Sequence, residues 1–371
     1  MKVRSALLAF AVGGVLGSTG TLAQNAYITN NQSNNVSVID TRTNEVTATV
    51  PVGAGPWGVA VSPDGRKVYT ANWYYTVSVI DTATNAVTSI PNIWNGIGGN
   101  AIGIAISRDG RRVYASNFYQ QNVSVIDTAT NTVIAAAPTG PSPFGVVVAN
   151  EKVYIASWAS PFTVTVVDTV TNKVIATIPI ASESTAPELA ASPDGRRVYV
   201  TNEIGDNVPV IDTGTDTVIA TIPVSISQSA TVSSDGTKVY ISAGNHLHAF
   251  DVVTNKFVMG SDYIGGPGGV SVTQDNSRVY AVNFGWNAVM VVDAVTGAVA
   301  APIPVGSGPL AYGNFIQPRP TFAGTPGKSN CHGQSVSALA KQYGGLNNAA
   351  VTLGYPSVSA LQNAIEAYCE A

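Results

Sequence analysis

The sequence predicts an all-β protein, a seven-bladed β-propeller with four-stranded blades, from its repeats and from its two ends. Variants of residues 66–81, Arg-Lys-Val-Tyr-Thr-Ala-Asn, a short aromatic loop and Thr-Val-Ser-Val-Ile-Asp, occur seven times. The aspartates that close these copies lie 39 to 46 residues apart, at Asp40, Asp81, Asp127, Asp168, Asp212, Asp251 and Asp293. A period near 40 residues with alternating apolar positions is typical of a propeller that has one blade per repeat.

Each repeat is expected to contain four strands. In the second copy, residues 57–62, 67–72, 76–81 and 86–91 are rich in Val, Ile, Tyr and Thr, as a half-buried pleated surface prefers. The Pro-Asp-Gly sequence after the first of these strands has the residue types of a tight turn.

The two ends of the repeat array predict how the ring closes. Residues 26–30 match the second strand of a blade, whereas residues 308–316 match a first strand. The C-terminal strand is therefore expected to be the innermost strand of the blade whose other three strands come from the N-terminus. This closure would leave no open sheet edge around the ring.

The first 23 residues have the three-part pattern of a secretory signal peptide. Lys2 and Arg4 precede an apolar run over residues 6–16, and the segment ends Thr-Leu-Ala at Ala23, where cleavage is expected. The apolar run is shorter than the ~20 residues that span a bilayer. We expect a signal peptide at 1–23, the propeller at 24–320, and a linker with a C-terminal appendage at 321–371, in a protein located in the periplasm or outside the cell.

The charge balance excludes some partner classes. Without the leader, 16 basic residues face 22 acidic ones, which gives a net charge near −6. Nucleic acid and anionic lipid both attract basic patches, so neither is an expected partner. The sequence predicts a monomer without a membrane span.

The C-terminal appendage is expected to be a small helical unit held by one disulfide. Cys331 and Cys369 are the two cysteines of the chain, and an even count in an exported protein favours a disulfide over two free thiols. Apolar spacing predicts helices over residues 335–343, 347–353 and 357–369, the last with Ser357 as its N-cap.

A Tyr-x-x-Asn motif ends most of the second strands. It occurs at Tyr27–Asn30, Tyr69–Asn72, Tyr114–Asn117, Tyr199–Asn202 and Tyr280–Asn283, with degraded copies at Tyr154–Ser157 and Tyr240–Ala243. Together with Val-Ser-Val-Ile-Asp-Thr, Ser-Pro-Asp-Gly-Arg and Gly-x-Gly-Pro, these motifs resemble the YVTN-type β-propeller repeat family over residues 26–318. The resemblance implies an exported seven-bladed propeller of the kind found in surface-layer and periplasmic proteins. It implies no catalytic site, because the motif residues are structural. Propellers of similar build include lactonases, an antibiotic-inactivating lyase and haem- or copper-bearing electron-transfer proteins, whose site residues are not found in this sequence.

Aromatic residues concentrate in the loops where the repeats differ from one another. These loops, after the second strands and between blades, share one face of the ring, and variable loops on a rigid scaffold often carry function. Trp57 and Phe144 lie beside them on inner strands. The candidate ligand- or partner-binding residues are Trp73, Tyr74, Tyr75, Trp94, Phe118, Tyr119, Trp158, Phe162, Phe284 and Trp286. The interpretation is an aromatic funnel over the central channel, suited to a sugar, a peptide or another flat ligand. The alternative is that each ring packs beneath its own loop.

A second candidate site is acidic and lies on the same face. Glu183, Glu188, Glu203 and Asp206 fall in two loops of the fifth blade, where carboxylates could bind a cation such as Ca²⁺ or perform acid–base work. Solvated loop charges are the alternative. No other cofactor is predicted.

The histidines do not predict a metal or haem site. His246 and His248 lie two residues apart on a strand, but the ring contains no further histidine to complete a zinc or copper site. His332 follows Cys331 without the Cys-x-x-Cys-His motif that attaches haem.

These observations favour an exported, non-enzymatic binding or scaffold propeller. It would present its aromatic face to a protein, a peptide or an envelope glycan, with the helical tail as a second contact. One alternative is a lactonase-like hydrolase or lyase that uses the acidic loops, with or without a divalent cation. Another is an accessory partner of a periplasmic redox enzyme.

Overall fold

The computed structural model describes residues 24–91, 100–180, 186–318, 329–343, 345–352 and 357–370. The predicted signal peptide, most of the predicted linker, Trp94 and Glu183 lie outside these residues.

Seven antiparallel sheets form the propeller, and their strands follow the repeats in chain order. Blades one to four contain β1 (Asn25–Asn30), β2 (Asn35–Asp40) and β3 (Glu45–Pro51); β4 (Pro56–Val61), β5 (Lys67–Asn72), β6 (Thr76–Asp81) and β7 (Val87–Pro91); β8 (Ala101–Ile106), β9 (Arg112–Asn117), β10 (Asn122–Asp127) and β11 (Thr132–Pro138); β12 (Pro143–Ala149), β13 (Lys152–Ser157), β14 (Thr163–Asp168) and β15 (Val174–Pro179). Blades five to seven contain β16 (Leu189–Ala191), β17 (Arg197–Val200), β18 (Val208–Asp212) and β19 (Thr217–Ile222); β20 (Ser227–Val232), β21 (Lys238–Ala243), β22 (His246–Asp251) and β23 (Phe257–Gly260); β24 (Pro267–Val272), β25 (Arg278–Asn283), β26 (Ala288–Asp293) and β27 (Ile303–Pro304).

The ring closes in the first blade, as the sequence predicted. Residues 309–316, the closing segment, run antiparallel to β1, with a bridge between Ala26 and Ile316. The backbone N–H of Tyr27 donates to the carbonyl of Phe315 at 2.9 Å. The C-terminal end therefore supplies the fourth, innermost strand of the blade that the N-terminus begins, which confirms the predicted seven-bladed fold.

Inner strands of successive blades contact one another around the axis. β4, β8, β12, β16, β20 and β24 touch in that order. The backbone N–H of Gly269 in β24 donates to the carbonyl of Leu310 in the closing segment at 2.8 Å, and Val59 in β4 donates to the carbonyl of Tyr312 at 2.8 Å. The closing segment thus connects the seventh blade to the second.

The repeated aspartate is a turn residue. Asp293 Oδ1 accepts the backbone N–H groups of Val295 at 3.0 Å and Thr296 at 2.7 Å, and the Thr296 hydroxyl at 2.9 Å. The same arrangement occurs at Asp81, Asp127, Asp212 and Asp251. Side-chain bonds of this kind fix a turn in place of backbone bonds, so the repetition of Asp follows from geometry.

Basic residues at the start of the second strands connect several blades to the next. Lys67 Nζ in the second blade donates to the carbonyl of Thr128 in the third at 2.9 Å, and Lys152 Nζ in the fourth donates to that of Thr213 in the fifth at 2.9 Å. Arginines make equivalent bonds from Arg112 to Thr169 and from Arg197 to Val252. The sequence analysis did not identify this connection, because its two ends lie far apart in sequence.

A stability prediction follows from the contact between the fourth and fifth blades. Tyr154 Oη donates to Asp216 Oδ1 at 2.6 Å, and Lys152 Nζ lies 2.7 Å from Asp216 Oδ2. Because Tyr154→Phe removes a donor to a largely buried carboxylate, we expect it to lower the free energy of unfolding by about 1–3 kcal/mol, measured as a shift in the urea midpoint. The matched control is Tyr69→Phe, since the buried Tyr69 hydroxyl has no hydrogen-bond partner among the described residues. Equal midpoints for the two variants would contradict the prediction.

Three helices form the C-terminal appendage: α1 (Cys331–Tyr343), α2 (Leu346–Thr352) and α3 (Val358–Glu370). A disulfide joins Cys331 to Cys369, as predicted, with Cα atoms 5.7 Å apart. Leu361 and Ile365 are buried in an apolar cluster of the appendage.

The ends of these helices test the sequence patterns in detail. Ser357 caps α3, since its Oγ accepts the backbone N–H of Ala360 at 3.1 Å. The helix α1 begins four residues before the predicted start at 335. Periodicity missed this first turn because residues 332–334 (His-Gly-Gln) are not apolar, whereas the disulfide anchors the turn at Cys331. Among the described residues, no helix has the length and hydropathy needed to span a membrane.

Candidate functional site

Seven aromatic rings meet at the inner ends of the first four blades. We call this group the aromatic cluster: Trp57, Trp73, Phe118, Tyr119, Phe144, Trp158 and Tyr312. Trp57, Phe144 and Tyr312 lie on β4, β12 and the closing segment, which are inner strands. The other four rings come from the loops that follow the second strands of blades two, three and four. The predicted funnel therefore has a structural counterpart, with ring centroids 5.2 to 6.4 Å apart.

Phe144 forms the base of the aromatic cluster. Its ring is 0% exposed and meets Trp158 edge to face at 5.2 Å, Tyr312 at 5.7 Å and Trp57 at 6.0 Å. Edge-to-face pairs of this kind contribute about 0.5–1.5 kcal/mol beyond the area that they bury. The base is thus a packed core that holds the outer rings in fixed positions.

The rim of the aromatic cluster faces solvent. Trp73 and Trp158 are half-buried, and Tyr119 is 61% exposed. Trp73 stacks on Trp57 at 5.5 Å, while Phe118 meets Trp158 at 5.6 Å. A rim of this kind offers ring surface to a ligand at little cost in conformational entropy, because packing has already fixed the rings.

Close approach between inner strands brings these residues together. A Cβ atom on Gly58 would lie 2.4 Å from the carbonyl oxygen of Ile102, and a Cβ on Gly103 would lie 2.1 Å from that of Phe144. Because these positions carry no side chain, the backbones of neighbouring blades approach each other closely. The preceding residues, Trp57 and Ile102, then share one apolar cluster with Phe144.

The fifth blade has a glutamate where the fourth has a glycine. In the fourth blade, Gly145 precedes Val146, and Val146 pairs with the residue that follows the repeated tyrosine. In the fifth blade, Glu188 precedes Leu189, and Leu189 pairs with the residue that follows the repeated tyrosine of that blade. Glu188 is 4% exposed. Burial raises the pKa of its carboxyl group to about 8, against the lowering effect of a hydrogen bond from the Leu189 backbone.

Two of the acidic candidates lie near the aromatic cluster. Burial raises the pKa of Tyr312, and the nearby charges of Glu203 and Glu188 raise it further. Ala186, two residues before Glu188, packs in the same apolar cluster as Phe144. Of the predicted acidic residues, the structure thus places two beside the rings, whereas Asp206 is exposed on the neighbouring loop.

Four other predicted aromatic residues are not members of the aromatic cluster as defined above. Tyr74, Tyr75 and Phe284 are exposed, and Phe162 packs against the apolar core of the fourth blade, as the alternative interpretation proposed.

Trp286 belongs to a different group of rings. It contacts Tyr263 at 5.8 Å, and Tyr263 in turn meets His246 at 6.0 Å. His246 lies 6.3 Å from His248, whose pKa is lowered by burial and by the neighbouring His246. The described residues contain no group of three side chains that could hold a metal ion.

Sequence reasoning missed two residues of the site. Tyr312 was counted only as part of the closing strand, although that position already placed it beside the channel. Gln228 lies two residues before Ala230, which pairs with the residue after the repeated tyrosine, just as Phe144 lies two residues before Val146. Its Oε1 atom is buried without a hydrogen-bond partner among the described residues. Only the alignment of inner strands across blades could have identified it.

Comparisons with known proteins support the propeller fold. A family model described as the cytochrome D1 heme domain matches residues 22–153, which is less than half of the chain. No curated protein matches the chain.

Two solved structures show the same architecture at low sequence identity. Hydrazine synthase from Kuenenia stuttgartiensis aligns with a TM-score of 0.59 and 19% identity, covering 68% of this chain and 88% of that one. A functionally unknown protein from Desulfotomaculum acetoxidans aligns with a TM-score of 0.62 and 15% identity, covering 78% of this chain and 99% of that one. At these identities the likeness concerns the fold.

The histidines and cysteines of the described residues lie outside the aromatic cluster. Haem iron takes His, Cys, Met or Tyr as an axial ligand. Both cysteines form the disulfide, and His246 and His248 lie on β22, the third strand of the sixth blade. Tyr312 is buried beneath other rings, and its raised pKa favours the neutral phenol over the phenolate that binds iron. The chain is a seven-bladed β-propeller that is similar to the cytochrome D1 heme domain over residues 22–153.

Proposed function

We propose that the protein is an exported binding or scaffold propeller whose ligand or partner contacts the rim of the aromatic cluster. One observation carries this proposal: rings from four successive blades converge on a base that is fully buried and a rim that is exposed. Aromatic residues with a fixed base and an accessible edge are enriched at binding surfaces. The rigid ring of blades supports these residues without a conformational change.

The expected location agrees with this role. The Cys331–Cys369 disulfide suits an oxidising compartment, as does the signal-peptide pattern of the first 23 residues. The Tyr-x-x-Asn repeats support membership of the YVTN-type family, whose propellers occur in the periplasm and in surface layers. Protein, peptide and envelope-glycan partners are all compatible with an aromatic rim.

The experiment compares a tryptophan of the aromatic cluster with a tryptophan outside it. Mature wild-type protein is screened against glycan and peptide arrays, and affinities for the hits are measured by tryptophan fluorescence. Trp158→Ala removes a ring of the aromatic cluster, whereas Trp286→Ala removes a ring that packs with Tyr263. We expect Trp158→Ala to weaken binding by tenfold or more, the size of a hot-spot residue (about 2 kcal/mol), and Trp286→Ala to change it less than twofold. A ligand whose affinity Trp158→Ala leaves unchanged, in a variant that keeps its melting temperature, would contradict the proposal.

A second candidate is an accessory partner of a periplasmic redox enzyme. The match to the cytochrome D1 heme domain and the fold shared with hydrazine synthase favour it. The test is purification from native envelope, followed by an absorption spectrum and identification of co-purifying proteins. A redox enzyme in stoichiometric amount would support this candidate, and a colourless protein without such a partner would exclude it.

A further inference from the structure

Polar groups lie on the inner strands of the fifth and sixth blades, next to the fourth blade and its part of the aromatic cluster. When the inner strands are aligned by register, Glu188 of the fifth blade takes the position of Gly145 in the fourth. Gln228 of the sixth blade takes the position of Phe144. The Thr201 hydroxyl connects these two neighbours, since it accepts the Glu188 backbone N–H at 2.9 Å and donates to the Gln228 carbonyl at 3.2 Å. The two polar side chains therefore start from adjacent points on neighbouring inner strands.

Neither polar group has a charged partner among the described residues, although the Glu188 carboxyl accepts a hydrogen bond from the Leu189 backbone. The Gln228 Oε1 atom is buried and accepts no hydrogen bond from the described residues. Glu188, 4% exposed, forms none of the salt bridges within the described part of the chain. A buried acceptor without a donor costs about 1–3 kcal/mol, and a buried carboxylate without a cation costs more. A ligand that supplies both a positive charge and N–H groups would remove these costs.

The rings beside these groups suit the same kind of ligand. Tryptophan faces attract ammonium and guanidinium groups, and the attraction is strongest where water is excluded. Glu188 starts beside the aromatic cluster, since the backbone N–H of Gly145, next to Phe144, donates to the carbonyl of Pro187 at 3.1 Å. The charges of Glu203 and Glu188 also raise the pKa of Tyr312. Ca²⁺ would take six to eight oxygen ligands, which aromatic walls do not provide.

We propose that the channel mouth binds a primary ammonium group between the aromatic cluster, the Glu188 carboxylate and the Gln228 amide oxygen. The inference rests on the proposed function and names the chemistry of its ligand. A primary ammonium group fits better than a quaternary one, because only the former can donate to Gln228 Oε1. Its source is a small alkylamine, or the lysine side chain or amino terminus of a peptide.

The proposal includes a dependence of affinity on pH. The Glu188 pKa near 8 in the free protein means that an arriving cation displaces a proton at neutral pH. An alkylammonium group, with a pKa near 10.4, stays charged up to pH 9, so affinity should rise about tenfold between pH 7 and pH 9. Glu203 is the other carboxyl near Tyr312, and Tyr312 remains a neutral phenol in this window because its pKa is raised.

The experiment uses paired probes that differ in charge or in N–H groups. Calorimetric titrations of the mature protein with n-butylammonium, its neutral isostere n-butanol and tetramethylammonium give the preference for charge and for N–H donors. A second pair consists of acetyl-Gly-Lys-Gly-amide and the same peptide with norleucine in place of lysine, which separates a peptide source from a free amine. We expect n-butylammonium to bind at least tenfold more tightly than both n-butanol and tetramethylammonium.

Two variants connect the binding to the residues named. Glu188→Gln is expected to weaken binding at pH 8.5 by at least tenfold and to remove its pH dependence. The matched control, Asp206→Asn, neutralises an exposed carboxylate of the same blade and should change affinity less than twofold. Equal affinity for the charged and neutral members of each pair, or an unchanged affinity in Glu188→Gln, would overturn the proposal. If a neutral glycan or peptide binds and Trp158→Ala weakens it, the ammonium inference fails and the proposed function stands.

Discussion

Gly103→Ala is expected to destabilise the propeller by about 3 kcal/mol, because overpacking a tight contact costs in this range. A Cβ atom at this position would lie 2.1 Å from the carbonyl oxygen of Phe144 and 3.1 Å from the backbone nitrogen of Val146. Both are backbone atoms of the next inner strand, so no side-chain rotation can relieve the clash. The third and fourth blades would have to separate at the point where the aromatic cluster is assembled.

The measurement is the urea midpoint of the purified variant, together with the near-ultraviolet circular dichroism of its aromatic residues. Gly266→Ala is the control, because a Cβ there meets no atom within 4 Å and the backbone is not left-handed. We expect this control to stay within 0.5 kcal/mol of wild type, as surface substitutions usually do. A Gly103→Ala protein with the wild-type midpoint and spectrum would contradict the close packing of inner strands.

Glu188→Gln is expected to stabilise the folded protein at alkaline pH, in contrast to its expected loss of ammonium binding. The pKa of Glu188 rises from 4.5 to about 8 on folding, so the native state binds more protons than the unfolded state between these values. The free energy of unfolding must therefore fall as the pH rises through this window. The cost of ionising the buried carboxyl group is complete above pH 8. At 1.36 kcal/mol per pKa unit, the penalty at pH 9 is on the order of 5 kcal/mol. The neutral amide of glutamine avoids it.

Urea midpoints at pH 5, 7 and 9 test this expectation. The difference between Glu188→Gln and wild type should be smallest at pH 5 and largest at pH 9. Asp206→Asn, the exposed carboxylate of the same blade, should follow wild type at every pH. A variant that is less stable than wild type at pH 9 would contradict the expected cost of the buried carboxylate. Functional sites often contain groups that lower the stability of the folded protein, and a buried carboxylate is such a group.

The fold could be predicted from the sequence because each blade repeats the same local chemistry. Asp293 and its six equivalents each mark a turn, and the strand patterns between them recur with a nearly constant period. The closure was predictable because residues 26–30 and 308–316 match different strands of one repeat, and the structure pairs them. The first turn of α1 was not predictable, since a disulfide rather than an apolar pattern anchors it.

The site was predictable in part. Sequence placed Trp73, Trp158 and Trp286 on one face of the ring, but it could not show that Trp286 packs with Tyr263 instead. It also separated the acidic loops from the rings, whereas Glu188 approaches Tyr312 because the inner strands of different blades converge on the axis. Contacts between blades depend on how the whole ring packs, and no local pattern encodes them.

Photo-cross-linking most directly tests the central claim that the aromatic cluster is the binding surface. A benzoylphenylalanine is placed at Tyr119 on the exposed rim, or at Trp286, which is 51% exposed in the other ring group. Each protein is irradiated in native envelope and its adducts are identified by mass spectrometry. The account predicts a defined adduct from position 119 that Trp158→Ala abolishes, and none from position 286. An adduct from position 286 alone, or one from position 119 that survives Trp158→Ala, would contradict it.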